Sequence, residues 1–517
     1  MRTYQNPIIP GFYPDPSICR VREDYYLANS SFDFFPGIPL WHSTNLVEWE
    51  QLGHVLTRES QAQLVGSSIS GGIFAPTIRE HQGTFYVVVT NVNLFPTGAP
   101  NFLVHTDDIN GEWSEPMPIA HMGIDPTLFF DDDGTAYFAG VGFDEAGKQG
   151  IALFELDLQT GKALSETCFI WYGSGGRNPE GPHLYKKDGW YYLLLAEGGT
   201  EYGHMVTIAR SQSVWGPYEA CPWNPILTHR DDAGSIFQGV GHADLVDDPD
   251  GSWHMVCHAF RPSQAQLHHI GRETMLAPVA WVDGWPVVNG GEPLHAVMET
   301  EGSGEHAAFD VAFVDDFSSS QLAKRYCHVW NRVEENYEVG AGLTLRGGGT
   351  SLDDEAPVTF VGVRQQHMEL TVDATLSVEG DGVAGITVFH NREQHYDLCA
   401  QRTEEGLLVW LRRRVVDLEV KSDSVSLPQC EALDLCFIAK RKGFEFYAGP
   451  SGDTLVMVGS GSTQLLSTEV WRGSFTGCLF GLFAEDAAIA YVTRFAVSES
   501  EEQRLLNRAD EQRGYDV

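Results

Sequence analysis

Short apolar runs set between turn residues organise the first 300 positions of the chain. Five runs rich in aromatic and β-branched residues recur, DYYLANS (24–30), GTFYVVVTN (83–91), GTAYFAG (134–140), GWYYLLLAEG (189–198) and GSWHMVCHA (251–259). Aligned on Tyr26, Tyr86, Tyr137, Tyr192 and His254, they lie 60, 51, 55 and 62 residues apart. Self-similarity at such a period marks a repeat architecture. Four of the runs follow a turn dipeptide, Gln82-Gly83, Asp133-Gly134, Asp188-Gly189 or Asp250-Gly251, and Asp-Gly between apolar runs is a strong hairpin signal. The upstream hairpin partners are equally regular: DPSICRV from 15, APTIREH from 75, DPTLFFD from 125, EGPHLYK from 180 and HADLVDD from 242. Five strand-rich units of this kind predict a five-bladed β-propeller over residues 1–298, the alternative being a sandwich with coincidental hairpins.

The pattern then changes. A polar, glycine-containing connector, METEGSGEHAAFD (298–310), leads into short alternating strands such as LTLRG, VAGITVFHN, HYDLCAQR and YVTRFAVS. Spacing of this kind over 312–498 predicts a β-sandwich without a clear helix, followed by a charged tail at 499–517. The length of 517 residues suits two domains, and 54 glycines with 25 prolines agree with an all-β, turn-rich chain.

Charge narrows the partners. A formal net charge of −38 makes nucleic acid and anionic membrane surfaces poor partners and favours a neutral or cationic substrate. Nine cysteines with no C-x-x-C pair offer no zinc ribbon or redox motif. The start MRTYQNPIIPGFYPDP carries no apolar leader core, which points to the cytoplasm with reduced thiols.

In a propeller whose hairpins open with the innermost strand, the five hairpin starts converge on one rim of the channel. Those starts are Asp15, the Phe74-Ala75-Pro76 stretch, Asp125, Glu180 and His242. Alone, Asp15 or Asp125 in a D-P-[ST] context reads as a turn or cap. Together with Glu180 they form a set of carboxylates with few basic neighbours, and mutual repulsion raises at least one pKa. One protonated and one ionised carboxyl group flanking a bond is what glycosidic cleavage requires.

Read together, NPIIPGFYPDPSI, SSFDFFPGIPLWHSTNLVEW, SGGIFAPTIR, GIDPTLFFDDDG, PEGPHLYKKDGWYYLLLAEGGT, GHADLV and GRETMLAPVAWVDGWPVVNGG resemble glycoside hydrolase family 43, among its β-xylosidases and α-L-arabinofuranosidases. The resemblance implies Asp15 as general base, Glu180 as general acid and Asp125 as the residue that tunes and orients the acid. It implies inversion of configuration, with the two acting carboxyls about 6.5–9.5 Å apart. It places Arg272 in the substrate pocket, Phe32 and Phe74 as apolar walls of the first sugar subsite, and Thr200 near the pocket mouth. Phe475 falls where a loop of a concanavalin-like second domain closes the pocket. His242 matches a histidine that in relatives holds an otherwise water-surrounded calcium ion, an optional aid since the chemistry needs no cofactor. The chain reads APT where the family often reads A-P-D, which leaves the sugar preference open.

The resulting expectation is an exo-acting, inverting glycosidase releasing D-xylose from the non-reducing ends of β-1,4-xylooligosaccharides, with side activity on α-L-arabinofuranosides, assembled as a homo-dimer or tetramer. A mainly arabinofuranoside-directed enzyme and a non-catalytic carbohydrate-binding propeller are the alternatives. A retaining fructosidase is disfavoured because its W-x-N-D-P-N-G motif is absent.

Overall fold

Each repeat folds into an antiparallel sheet whose strand order follows the chain, because hairpin turns join consecutive strands. The innermost strands are Ser17–Val21, Thr77–His81, Thr127–Phe130, Glu180–Lys187 and Gln238–Asp247. Their partners are Asp24–Ala28, Thr84–Thr90, Ala136–Phe143, Trp190–Glu197 and Trp253–Phe260. Innermost strands of successive blades touch around the ring, the fifth against the first. Outside the blades, Arg2–Gln5 pairs with Val297–Thr300 and ties the two ends of the propeller together. The computed structural model describes residues 2–96, 98–264, 266–300, 309, 311–470 and 474–510.

Blade strands read as nearly continuous apolar runs because each blade is covered on both faces by its neighbours. Val87, Val88 and Val89 are fully buried, and successive clusters of this kind fill the gaps between blades. The turns divide into two types. Gln82-Gly83 and Asp188-Gly189 have positive φ at both residues (54° and 89°; 51° and 79°), the geometry of a two-residue primed turn. At Asp133-Gly134 and Asp250-Gly251 only the glycine is left-handed, and a longer loop closes through Asp131 N to Thr135 O and Asp248 N to Ser252 O.

One expectation needs a one-residue correction. Register pairs Tyr26 with Cys19, Tyr137 with Phe129, Tyr192 with Tyr185 and His254 with Val246. Counting back from these pairs, the equivalents of Asp15 are Asp125, Gly181 and His242, so Glu180 precedes the repeat position. The backbone agrees, since φ is 53° at Asp15, 54° at Asp125, 57° at Gly181 and 45° at His242. A register shift between Glu180 and His183 accommodates the offset.

The second domain packs an eight-stranded sheet on a seven-stranded one. In Leu370–Glu379 and Leu433–Lys440 buried and part-exposed residues alternate, as one wet face requires. Ala384–Asn391, in the other sheet, is buried throughout, because its second face lies against the propeller. There Phe34–Phe35 pairs with His328–Val329, and Phe12, Phe32 and Phe34 pack with Phe360, Phe389 and Phe483. Each fully buried phenylalanine contributes about 1.5–3 kcal/mol of transfer free energy, so the seam is an apolar interface and not a hinge. The tail, read as charged chain only, contains a helix at Glu501–Asp510. Ser500 Oγ accepts from Gln503 N while Gln503 Oε1 accepts from Ser500 N, a reciprocal cap legible as S-x-x-Q. Residues 511–517, and 301–308 with 310 in the connector, lie outside the described residues.

Candidate active site

The FYPDP loop is fixed by its backbone carbonyls. Fully buried Asn29 donates from Nδ2 to Tyr13 O and Pro14 O, both at 3.0 Å. Ser30 N reaches Pro14 O at 3.2 Å and Tyr13 N reaches Arg272 O at 3.0 Å. Asp15 is thereby held left-handed, a conformation that costs a non-glycine residue about 1–3 kcal/mol and persists only where the surroundings over-determine it.

The Asp15 carboxylate faces a cationic and histidine-rich wall. Arg272 Nη1 donates to Oδ1 at 2.7 Å, His258 Nδ1 lies 3.0 Å and His242 Nδ1 3.6 Å from the same oxygen, and Ser30 Oγ donates to Oδ2 at 2.5 Å. Burial alone would raise its pKa; Arg272, His242 and His258 override that and hold it well below the ordinary carboxylate range. His258 is itself kept neutral, its pKa lowered to about 3 chiefly by burial and then by Arg272, and its Nδ1 also accepts from the Asp15 backbone N–H at 3.2 Å.

The other two carboxyls shift the opposite way. Burial, then the charge of Asp15, raises Glu180 to about 7, against weaker lowering by Arg272 and Arg177. Asp125 is pushed well above its usual range by burial, then by Glu180 and Asp15, although the Gly181 amide donates to it. Below about pH 7, therefore, one ionised and two protonated carboxyl groups face one another, the division of states that separates a general base from a general acid.

All five expected sugar-contacting residues gather beside them. Arg272 Nη1 also donates to Thr200 Oγ1 at 2.9 Å, and Nη2 to Phe475 O at 3.4 Å. The rings of Phe32 and Phe74 are 5.1 Å apart, and Phe475 stands 6.0 Å from Phe32 and 6.2 Å from Phe74. The guanidinium carbon of Arg272 sits 5.6 Å from the Phe32 ring and 5.9 Å from that of Phe475. Phe475 belongs to the second domain, and its amide donates to Ser70 Oγ of the propeller at 2.9 Å.

His242 does not present the donor set that calcium prefers. Calcium takes six to eight oxygens, whereas His242 offers nitrogen beside a carboxylate already engaged by Arg272. Among the described residues no three His, Cys, Asp or Glu side chains converge to hold a metal. The ring instead packs over Gly181, where an added Cβ would stand 3.1 Å from it.

Sequence reasoning missed the supporting residues. Asn29, Ser30 and His258 close the second strands of their repeats, in YYLANSS and WHMVCHAF, and their place at the rim end of a strand was the available signal. Also missed was the channel network two residues below the rim. There Arg79 donates to Asp244 at 2.8 and 3.2 Å and contacts His183 Nδ1 at 2.9 Å, and Ser17 Oγ donates to Asp244 at 2.9 Å.

A five-bladed propeller with oppositely shifted carboxyls under an aromatic, arginine-bearing pocket defines a hydrolase of glycosidic bonds. Residues 4–286 match Glycosyl hydrolases family 43, and residues 314–496 match the Beta xylosidase C-terminal Concanavalin A-like domain. The chain belongs to glycosyl hydrolase family 43. It is 37% identical over 500 residues to a xylosidase/arabinosidase of Butyrivibrio fibrisolvens, covering 93% of this chain and 95% of that one. A non-reducing end alpha-L-arabinofuranosidase of Bacteroides ovatus is 36% identical, with 93% and 91% covered. The crystal structure of a xylan beta-1,4-xylosidase from Bacillus halodurans superposes with a TM-score of 0.90 at 32% identity, covering 96% of this chain and 100% of that one. The chain is thus a glycoside hydrolase, and the non-catalytic binding alternative is set aside.

Proposed function

We propose that this hydrolase releases D-xylose from the non-reducing ends of β-1,4-xylooligosaccharides by an inverting, exo-acting mechanism, with side activity on α-L-arabinofuranosides. The observation that carries the reading is the opposite shift of Asp15 and Glu180 about one pocket. Asp15, ionised, takes the proton of a water that attacks the anomeric carbon. Glu180, protonated, donates to the departing glycosidic oxygen. Asp125, neutral, occupies the space beside the acid without adding a second charge, and Arg272 with Thr200 holds sugar hydroxyls. Phe32, Phe74 and Phe475 exclude water around a single ring, which supports action at chain ends. Attack by water opposite the leaving group yields the inverted anomer, so proton NMR of early hydrolysis should show α-xylose first from a β-xyloside; β-xylose first would contradict the mechanism.

The arabinofuranosidase relative favours the second reading, a mainly arabinofuranoside-directed enzyme. Comparing kcat/KM on 4-nitrophenyl β-D-xylopyranoside and α-L-arabinofuranoside decides between them. The reaction as drawn uses no metal, and full activity after EDTA treatment is the expected outcome. Nine free cysteines support residence in the reducing cytoplasm. Exposed Leu418, Val420, Val456 and Met457 support a homo-dimer or tetramer, which light scattering tests.

A further inference from the structure

Glu180 stands where its strand is least regular. It pairs with Ala196 of the next strand, but the ladder shifts register between Glu180 and His183, so no regular run of strand bonds holds it. Among the described residues no side chain hydrogen-bonds its carboxyl group, whose place therefore depends on the chain leading up to it. That chain, Gly173-Ser174-Gly175-Gly176-Arg177-Asn178-Pro179, wraps around Glu197, the last residue of Trp190–Glu197. Glu197 is fully buried. Its Oε1 accepts from Ser174 N and from Thr207 Oγ1, both at 2.7 Å, and its Oε2 accepts from Gly176 N at 2.7 Å. The loop comes this close only because it is glycine-rich. A Cβ at Gly173, left-handed at φ 85°, would stand 3.2 Å from Glu197 Oε2, and one at Gly176 would stand 2.8 Å from it.

Only Arg177, Asn178 and Pro179 separate this anchor from Glu180, and none of them is free to absorb a shift. Pro179 has a fixed φ and its carbonyl accepts from Gln149 Nε2 at 3.2 Å. Asn178 is left-handed at φ 51°. Arg177 O accepts from Gly198 N, and Arg177 Nε donates to Gly198 O, both at 2.8 Å. A chain this short passes a displacement at Gly176 on to Glu180, and a misplacement of about 1 Å can cost a catalytic step about 10²-fold. The sugar-holding side of the pocket has its own supports. His204 Nδ1 lies 2.7 Å from Gly199 O, and Thr200 is held by Arg272. The Glu197 side chain therefore acts on the side of the acid.

We propose that Glu197 is the positioning residue for the general acid. By gathering the Ser174 and Gly176 amides it fixes the chain's approach to Glu180, and so the point from which the proton reaches the departing oxygen. Glu197 touches no reacting atom and works through the loop alone. The proposal rests on the reading of Glu180 as the proton donor.

The test compares kcat/KM on xylobiose, whose leaving sugar must be protonated, with kcat/KM on 2,4-dinitrophenyl β-D-xylopyranoside, whose phenolate departs without a proton. Glu197→Gln keeps the shape of the side chain, but whichever way the amide turns, its NH2 group faces the backbone N–H of Ser174 or of Gly176. This variant should lose at least about tenfold on xylobiose and less than about threefold on the dinitrophenyl glycoside. Gly176→Ala, which retains Glu197 but presses a Cβ against it, should show the same selectivity. Leu435→Ala, in the core of the second domain, is the merely destabilised control and should show none when assayed below its melting temperature. Glu180→Ala, run alongside, separates the two readings. Selective loss there without selective loss in either loop variant overturns the positioning role alone, whereas no selective loss in Glu180→Ala removes the acid assignment and the proposal with it. Equal losses on the two substrates in Glu197→Gln, or the same selectivity in Leu435→Ala, would also overturn the proposal, since a general weakening of the fold does not distinguish leaving groups.

Discussion

Two aspartates in the same channel, Asp15 at the rim and Asp244 below it, are both buried beside an arginine and histidines, yet they are finished differently. Asp244 accepts from Ser17 Oγ, Ile18 N, both Arg79 nitrogens, Tyr185 OH and Leu245 N. A carboxylate has about four lone-pair sites, so these donors saturate it. Asp15 has Arg272, His258 and Ser30 as close partners, with His242 at 3.6 Å. Both are held ionised, Asp244 against its burial by Arg79 above all. Saturation makes the lower one a fixture of the fold; incomplete saturation leaves the rim one able to receive a water proton.

The largest test of that contrast is removal of the reacting groups. Asp15→Ala and Glu180→Ala should each lower kcat/KM on xylobiose by about 10³-fold or more, given the 10²–10⁴-fold worth of general acid or base assistance; Glu180→Ala should do so with little change in melting temperature, whereas Asp15→Ala also leaves the buried Arg272 without its carboxylate and should melt lower. Glu180→Ala should lose less on a nitrophenyl xyloside, whose leaving group needs less protonation, whereas Asp15→Ala should lose equally on both. Asp244→Asn should do the reverse. It strands a buried Arg79 charge, so a stability loss of about 3–5 kcal/mol is expected, read as a lower denaturation midpoint.

A smaller effect is expected from Arg272→Met. Arg272 lowers the pKa of both Asp15 and Glu180, so its removal should move both limbs of the pH profile upward and raise KM through the lost sugar contact. Smallest is Gly181→Ala. A left-handed alanine costs about 1–2 kcal/mol, and its Cβ would press on the His242 ring. A modest fall in stability together with a disturbed Asp15 wall should follow, visible as a several-fold loss of kcat.

The blades were legible because Tyr26, Tyr86, Tyr137, Tyr192 and His254 recur at a blade-sized period, and period survives without knowledge of contacts. Asp15 and Asp125 stood out for the same reason, as D-P-[ST] at repeat positions. The one-residue offset of Glu180 was hidden, since only the bulge and the left-handed Gly181 reveal it. Asn29 and His258 were invisible in their role because hydrogen bonding to the FYPDP loop is a tertiary fact; His258 lies 243 residues from Asp15. The tail helix was overlooked although its S-x-x-Q cap was present in the sequence.

The most direct test of the central claim is the pH dependence of kcat/KM on xylobiose for the wild type and Glu180→Ala. Glu180 acts protonated, so activity should be present below about pH 7 and fall as pH rises through that value. Asp15 acts ionised and sits well below the usual range, so the acid limb should appear only at markedly lower pH. In Glu180→Ala the limb near pH 7 should vanish from the residual rate. A limb that persists unchanged in that variant would contradict the assignment of Glu180 as the proton donor.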